Sequence, residues 1–369
     1  MIQQKPQAIL VLPHLRVQNA NAISSPLTHG FPSITAFIGL MWALQRKLTH
    51  KHIPLKLLNV GVICHHHQEQ VNEGFVQTFN LRKPYVATAK QVAKLEQGEP
   101  PAIVEEGRMH MQVSLVFGVA LQLGAAASEL HDKEQREAWA KSVGEIAEQM
   151  RVAGGSLLPS RPAPGKKVRP WMDVIAEDDA QQKEDFRRWR RQWLPGFALV
   201  SREDVLAQRL EKLRNTTQPQ ATLLDAWLHA ARFNYEAQAV KDGEAQSDGK
   251  VEWKDPFRQV EKTKGSGWLV PIPVGYAALG ALHAAGTVGN ARDMTAPLRF
   301  VESVYSIGAW LSPHRIERLQ DLLWQADTDV AAGLYRCRNT FHNTLSEHQE
   351  SAGIADDDWD EEDDDYIDD

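Results

Sequence analysis

An apolar run followed by alternating apolar and polar positions makes Ala8–Gln18 read as a strand. From Pro13 onward Leu15 and Val17 face one way and His14, Arg16 and Gln18 the other, the pattern of a strand with one covered face. A polar loop, NANAISSPLTHG (Asn19–Gly30), follows, and the period then changes. Ile34, Phe37, Ile38, Met41, Leu44 and Leu48 recur at helical spacing, which predicts a helix with one buried face. Pro32 suits its first turn, where a missing N–H costs little. A second strand is expected at Leu57–His65. A third is expected at Met109–Phe117, where Met109, Met111, Val113, Leu115 and Phe117 alternate with His110, Gln112 and Ser114. Between the two, residues 75–106 carry Arg82, Lys83, Lys90 and Lys94 and read as an excursion from the sheet. A helix over about Asp132–Val152, stopped at Gly154-Gly155, leads into another strand.

The order β-α-β-β-α-β predicts an α+β domain over residues 1–159, of the split βαβ, ferredoxin-like or RRM type. Helices would cover one face of its sheet and leave the other open, and polar residues on an open face can meet RNA. Residues 160–354 read as a second, mixed and more helical region. It starts with a Pro-rich basic linker, Ser160–Pro170 (Arg161, Lys166, Lys167, Arg169). A stripe of Phe186, Trp189 and Trp193 follows, set among Arg187, Arg188, Arg190 and Arg191. Lys241–Lys250 reads as a polar loop, Gly267–Tyr276 as a strand broken by Pro271 and Pro273, and about Arg315–Leu345 as helical. Residues 355–369 form an acidic tail whose composition is that of a disordered segment.

Charge changes the picture only once that tail is set aside. The whole chain of 369 residues has a formal net charge of −7, which argues against a nucleic-acid partner. Eleven of its 48 acids lie in Ala355–Asp369, which holds no base; without them 41 basic residues face 37 acidic ones, and the body is mildly positive. Such a body is compatible with RNA binding. Two cysteines, Cys64 and Cys337, fit neither a disulfide framework nor a zinc knuckle and point to a reducing cytoplasm. The longest apolar stretch, Val113–Ala127, is interrupted by Ser114 and Gln122 and falls short of a membrane span. The expectation is a soluble cytoplasmic protein with no membrane contact.

Candidate chemistry is sparse. Asn19, Asn21, Ser24 and Ser25 lie in a loop before a helix N-terminus; they read equally as a phosphate site and as a loop that supports the fold. Of His65-His66-His67 only His65 and His67 could converge, and no cysteine completes a metal site, so packing or RNA stacking is the better reading. No carboxylate dyad or two-metal spacing is present. The expectation is therefore no catalytic set, no metal and no cofactor. Arg108, after Glu105-Glu106-Gly107, and Arg151, just before Gly154-Gly155-Ser156, could each hold a phosphate, the glycines letting an RNA backbone approach. A helix cap with a surface arginine reads as well. The Phe186–Trp193 stripe reads first as core and second as a base-stacking surface.

Several blocks carry a family resemblance. They are RVQNANAISSPLTHGFPSITAFIG (Arg16–Gly39), GVICH (Gly61–His65), EEGRMHMQVSL (Glu105–Leu115) and RVAGGSLLP (Arg151–Pro159). Further along come LPGFALV (Leu194–Val200), GWLVPIPVGY (Gly267–Tyr276), ARDMTAPLRFVESVYSIGAWLSPHR (Ala291–Arg315) and LW (Leu323-Trp324). In this order they resemble the Csy-two (Cas-five f) family, the subunit of the type I-F CRISPR Csy complex that binds the 5′ handle of the guide RNA, within the RAMP superfamily. The resemblance implies an RRM-like RAMP domain with a thumb-like excursion at 75–106. It also implies a non-catalytic role in antiviral defence, with CRISPR RNA, the large subunit and the repeated backbone subunit as partners, and target DNA met through the assembled complex. It raises Arg16, Asn19, Asn21, Ser24, Ser25, Arg108, His110, Gln112, Arg151, Gly154, Gly155 and Ser156 as handle contacts. Arg292, Arg299, His314 and Arg315 become candidates for RNA or subunit contact. The acidic tail and residues 201–264 depart from the family pattern. Two alternatives are a metal-independent endoribonuclease using His14, His29 or His65, and a purely structural adaptor between proteins.

Overall fold

The structure is a computed structural model that describes residues 4–82, 89–99, 104–122, 124, 126–161, 168–216, 218–232, 234–239, 251–255 and 268–341. The chain opens with a long strand, β1 (Ala8–Asn21), and a small hairpin, β2 (Ile23–Ser25) and β3 (Thr28–His29). α1 (Ile34–His50) follows, capped by the Ser33 hydroxyl, which accepts the Thr35 N–H. Its buried stripe is the one the spacing predicts. β4 (Leu55–Glu69) precedes an excursion of β5 (Val71–Asn72), β6 (Thr78–Arg82), α2 (Ala89–Glu96) and β7 (Val104–Glu106); β8 (Arg108–Leu121) then rejoins the sheet. α3 (Ala127–His131) and α4 (Lys133–Ala147) lead to a hairpin of β9 (Arg151–Val152) and β10 (Gly155–Leu158). The helix expected to reach Val152 thus stops at Ala147. Ala153 and Gly154, at φ 49° and 76°, form a tight hairpin turn where the glycines suggested a helix cap, and Val152 pairs across it with Gly155.

After β11 (Trp171–Val174) come α5 (Asp179–Arg190), a 3-10 turn at Arg191–Trp193 and β12 (Phe197–Ser201). α6 (Glu203–Thr216) and α7 (Leu223–Ala231) pack as a pair, and β13 (Glu236–Ala239) with β14 (Val251–Lys254) form a separate hairpin. β15 (Trp268–Ala278) and β16 (Val301–Leu311) are long partners, followed by a 3-10 turn at Pro313–Arg315, α8 (Leu319–Leu322), β17 (Gln325–Asp329) and β18 (Leu334–Arg338). The stretch from Arg315 expected to be helical therefore holds one short helix and a hairpin. Its turn is closed by the Gly333 N–H on the Val330 carbonyl, and the segments on either side are too short to build a helical stripe. The Lys241–Lys250 loop, part of the Ser160–Pro170 linker and the acidic tail lie outside the described residues.

One curled antiparallel sheet runs β17-β18-β15-β16-β12-β4-β8-β1-β10-β9, with β11 beside the first part of β1. The class is α+β. Its β4-β8-β1-β10 portion has the connectivity expected of the split βαβ pattern. β1 carries two bulges, at Pro13–His14 and Gln18–Asn19, with His14 at φ 51° and Asn19 at φ 58°. Each bulge resets the alternation. Leu10, Leu12, Leu15, Val17, Ala20 and Ala22 consequently all face one core, shared with α1, α4 and the alternating apolar row of β8. The opposite face is not open along its whole length, as the sequence led one to expect. Ile9, Val11, Ile63 and Val116 are covered there by Trp171, Phe186, Trp189 and Trp193. The α5 stripe is this second core. Cys64 and Cys337 are buried free thiols whose burial pushes each up to about 12. Among the described residues no helix is long and apolar enough to cross a membrane.

Candidate nucleic-acid interface

Past the aromatic layer the same sheet face turns polar. β8 runs without a bulge, so Val116, Ser114, Gln112, His110 and Arg108 follow one another on this face, from buried to half-exposed. The register sets Arg16 opposite both Gln112 and Leu158, and Gln18 opposite Ser156. Ser156 in turn faces Arg151, while Gln112 and His110 face His66 and Gln68 of β4. Residues directly opposite share a face. Arg16, His110, Gln112, Arg151 and Ser156, drawn from separate stretches of sequence, therefore meet on one polar end of the sheet. Arg16 is held half-exposed by its Nε, which donates to the Pro159 carbonyl at 3.0 Å. Arg151 is exposed at the rim.

Asn19 and His110 are tied together. The Asn19 backbone N–H donates to His110 Nδ1 at 3.2 Å, and the Gln70 amide lies 2.8 Å from Asn19 Oδ1 and 2.9 Å from His110 Nε2. Gln18, Gln68 and Gln70 belong to this surface although they were not among the sequence candidates, and so does His66, from the histidine run read as packing or RNA stacking. Alternation already put Gln18 beside Arg16; the other three depend on a register that a bulge at Cys64–His66 hides from the sequence.

The Arg108 guanidinium ion-pairs with Glu106 at 3.4 Å and reaches toward the β9–β10 turn, where a Cβ on Gly154 would stand 3.9 Å from its Nη1. Asn21 joins that turn through its N–H, which donates to the Ala153 carbonyl at 2.8 Å. The Asn21 side chain itself is closed on Ile23, accepting its N–H and donating to its carbonyl. Ser24 and Ser25 meet Thr28 within the small hairpin, at 3.2 and 2.7 Å. The N-terminus of α1 does not face this surface. Ser33 is buried and donates to the Pro273 carbonyl of β15 at 2.9 Å. Gly155 is buried as well, and the room beside it is filled by the backbone of Gln18 and Ala20.

The late candidates are not brought together with this set. Arg292 is exposed in the β15–β16 connection, and Arg299 donates to the Val330 carbonyl at 3.2 Å, beyond β16, β12 and β4 from the polar end of β1. His314 and Arg315 stand beside α5. Arg190 donates to the His314 and Ile316 carbonyls at 2.8 and 2.6 Å. Desolvation and then the neighbouring Arg315 and Arg190 hold the His314 pKa below its ordinary value; desolvation followed by Arg187 does the same to Arg190.

The three histidines considered for acid–base chemistry have structural contacts. The His65 ring lies 4.0 Å from that of His14, which is 1% exposed. His65 Nδ1 lies 2.7 Å from the Pro195 carbonyl, which can only accept, so this nitrogen carries the proton. Nε2 then accepts from the Ser114 hydroxyl at 2.7 Å, and Ser114 accepts the His14 N–H at 3.0 Å. His29 lies elsewhere, 3.6 Å from Glu69 and edge-on to Phe79. Among the described residues no group of three or more His, Cys, Asp or Glu is placed to hold a metal ion.

The chain matches the family model described as CRISPR-associated protein (Cas_Csy2) over residues 10–337. It is also 44% identical over 338 residues to the CRISPR-associated protein Csy2 of Pseudomonas aeruginosa (strain UCBPP-PA14), an alignment covering 90% of this chain and 95% of that protein.

Proposed function

Because the chain belongs to the CRISPR-associated Csy2 family, we propose that it acts in antiviral defence as a non-catalytic RNA-binding subunit of a type I-F Csy complex. In this reading it holds the 5′ handle of the guide RNA and pairs with the large subunit at the tail of the complex. The repeated backbone subunit abuts it, and target DNA is met only through the assembly. The observation that carries the reading is the polar end of the RRM-like sheet. Arginines 16, 108 and 151 surround half-exposed amides and imidazoles there, on strands anchored by a buried core. Arginines suit phosphates, whereas Gln112, Gln18, His110 and His66 present donors, acceptors and ring faces to splayed bases. Order in the scaffold reduces what must be immobilised when a short single strand binds. Binding by cations to phosphates weakens steeply with salt.

Cleavage is the weaker reading because the His65 nitrogens are engaged by Pro195 and Ser114, and a general base needs one within reach of substrate. The test is a complex co-purified with Arg16→Glu and Arg151→Glu in this subunit. The guide RNA is expected to be lost from it. Guide RNA retained at the wild-type level refutes these contacts. Retention of the protein partners without RNA in the variant separates RNA holding from a merely structural adaptor.

A further inference from the structure

The acidic tail and the arginines around α5 are both unaccounted for by the sheet face. Ala355–Asp369 contains eleven acids and no base, and the family match ends before it, at residue 337. The last described residue, Phe341, is buried in the aromatic core with Phe186, Trp193 and Ile316. On the outside of that core Arg187, Arg191 and Arg315 are exposed, next to Arg190. Arg188 is not part of this ridge, since Asp173 and Asp185 pair with it at 3.1 and 2.9 Å. Glu317 is the carboxylate that acts on Arg190, so cations outnumber it locally.

We propose that residues 355–369 dock on the arginine ridge formed by α5, its 3-10 turn and the Pro313–Arg315 turn, and that the tail and nucleic acid exclude one another there. The docking stands on charge and tethering; the exclusion of RNA rests on the RNA-binding reading above. Phe341 anchors the chain inside the core that carries the ridge. Ala355 follows 14 residues later in the sequence, and a flexible chain of that length would span about 20 Å, short enough to keep the tail at millimolar effective concentration. Each exposed ion pair contributes little, but a tail with this density of carboxylates meets several cations at once. Trp359 and Tyr366 interrupt the acids. Beside the ridge, a cleft of about 400 Å³ floored by Phe186 and Trp189 offers an aromatic residue an apolar surface, with Lys5, Lys183 and Arg318 outnumbering Asp179 and Glu317 at its rim. The tail thus has the features of a single nucleic-acid strand: closely spaced negative charge with intervening rings.

A carbodiimide joins a carboxylate to an amine only where the two touch, and Lys5 and Lys183 line the cleft. In the full chain, crosslinks between the tail and Lys183 or Lys5 are expected at low salt. They should disappear in the Arg187→Glu, Arg191→Glu, Arg315→Glu variant. Absence of those crosslinks in the wild type, or their persistence in the variant, overturns the docking. A chain ending at Ile354 should bind labelled oligouridine roughly tenfold more tightly than the full chain at ~50 mM salt. That gain should vanish when the arginines are reversed. Equal affinity of the two chains overturns the exclusion even if the crosslinks form. No binding of oligouridine by either chain overturns it together with the reading on which it rests.

Discussion

A methyl group added to Gly155 would stand 2.7 Å from the Ala20 nitrogen and 2.9 Å from the Gln18 carbonyl oxygen. Both are backbone atoms in a paired strand and cannot swing aside. Gly155→Ala is therefore expected to lower stability by about 1–3 kcal/mol, read as a shift in the urea midpoint of the full chain. An unshifted midpoint would mean that β10 can slide freely against β1. Gly154 is a different case. It sits at φ 76° in the exposed hairpin turn, and a Cβ there meets nothing closer than the end of Arg108, so its constraint is conformational. The two adjacent glycines looked alike in the sequence, as openings for an RNA backbone. The structure separates them because one lies over a neighbouring strand, a fact no local pattern contains. Arg16, by contrast, was legible: alternation with Leu15 and Val17 was enough to turn it outward.

Among the elements, the α6–α7 pair carries a titratable contact. His229 Nδ1 lies 3.1 Å from Arg209 Nη1, and because a guanidinium only donates, the ring accepts and is neutral. Desolvation, then Arg209 and Arg232, hold its pKa below the ordinary value of 6.5, against a smaller opposite effect of Asp255. As pH falls below that value the unfolded segment takes up its proton first. The stability contributed here is thus complete above 6.5 and is lost as pH falls through the folded value. Amide exchange in α6 and α7, corrected for intrinsic rates, should accelerate as the pH is lowered below 6.5 while β1 and β8 stay protected. His229→Gln should remove the pH dependence; exchange that does not change on acidification in the wild type would contradict it. The elements themselves were unevenly legible. α1 and β8 follow from single uninterrupted periods, whereas the β17–β18 hairpin was hidden in short polar segments that fit a helix as readily. α5 was legible as a buried stripe, but which surface it buries required contacts with strands more than a hundred residues away.

At the scale of the whole molecule, strands from before and after residue 159 share one sheet. β12 pairs with the edge of β4, and the α5 layer covers Ile9, Val11, Ile63 and Val116. Residues 1–159 produced alone would expose both that apolar surface and the β4 edge. They are expected to aggregate under conditions in which the full chain stays in solution, as size-exclusion chromatography would show. A monomeric fragment with protected β1 and β8 amides would establish that it folds unaided. The β-α-β-β-α-β order could be read from the chain because each element has its own period; the second cover could not, because it is supplied by distant sequence. The two bulges of β1 bear finally on how such a protein can change over generations. Asn19, at φ 58°, accepts few residues besides glycine and aspartate, but with Leu15, Val17 and Ala20 kept inward by the reset alternation, Arg16 and Gln18 can be exchanged singly while the strand stays in place. Lineages that meet different RNAs can therefore drift at these outward positions. Loss of one residue at Pro13–His14 would close the bulge and leave Leu15 opposite Val113, whereas loss of one residue within Leu15–Val17 would turn the outward row toward the core, and selection would remove it at once.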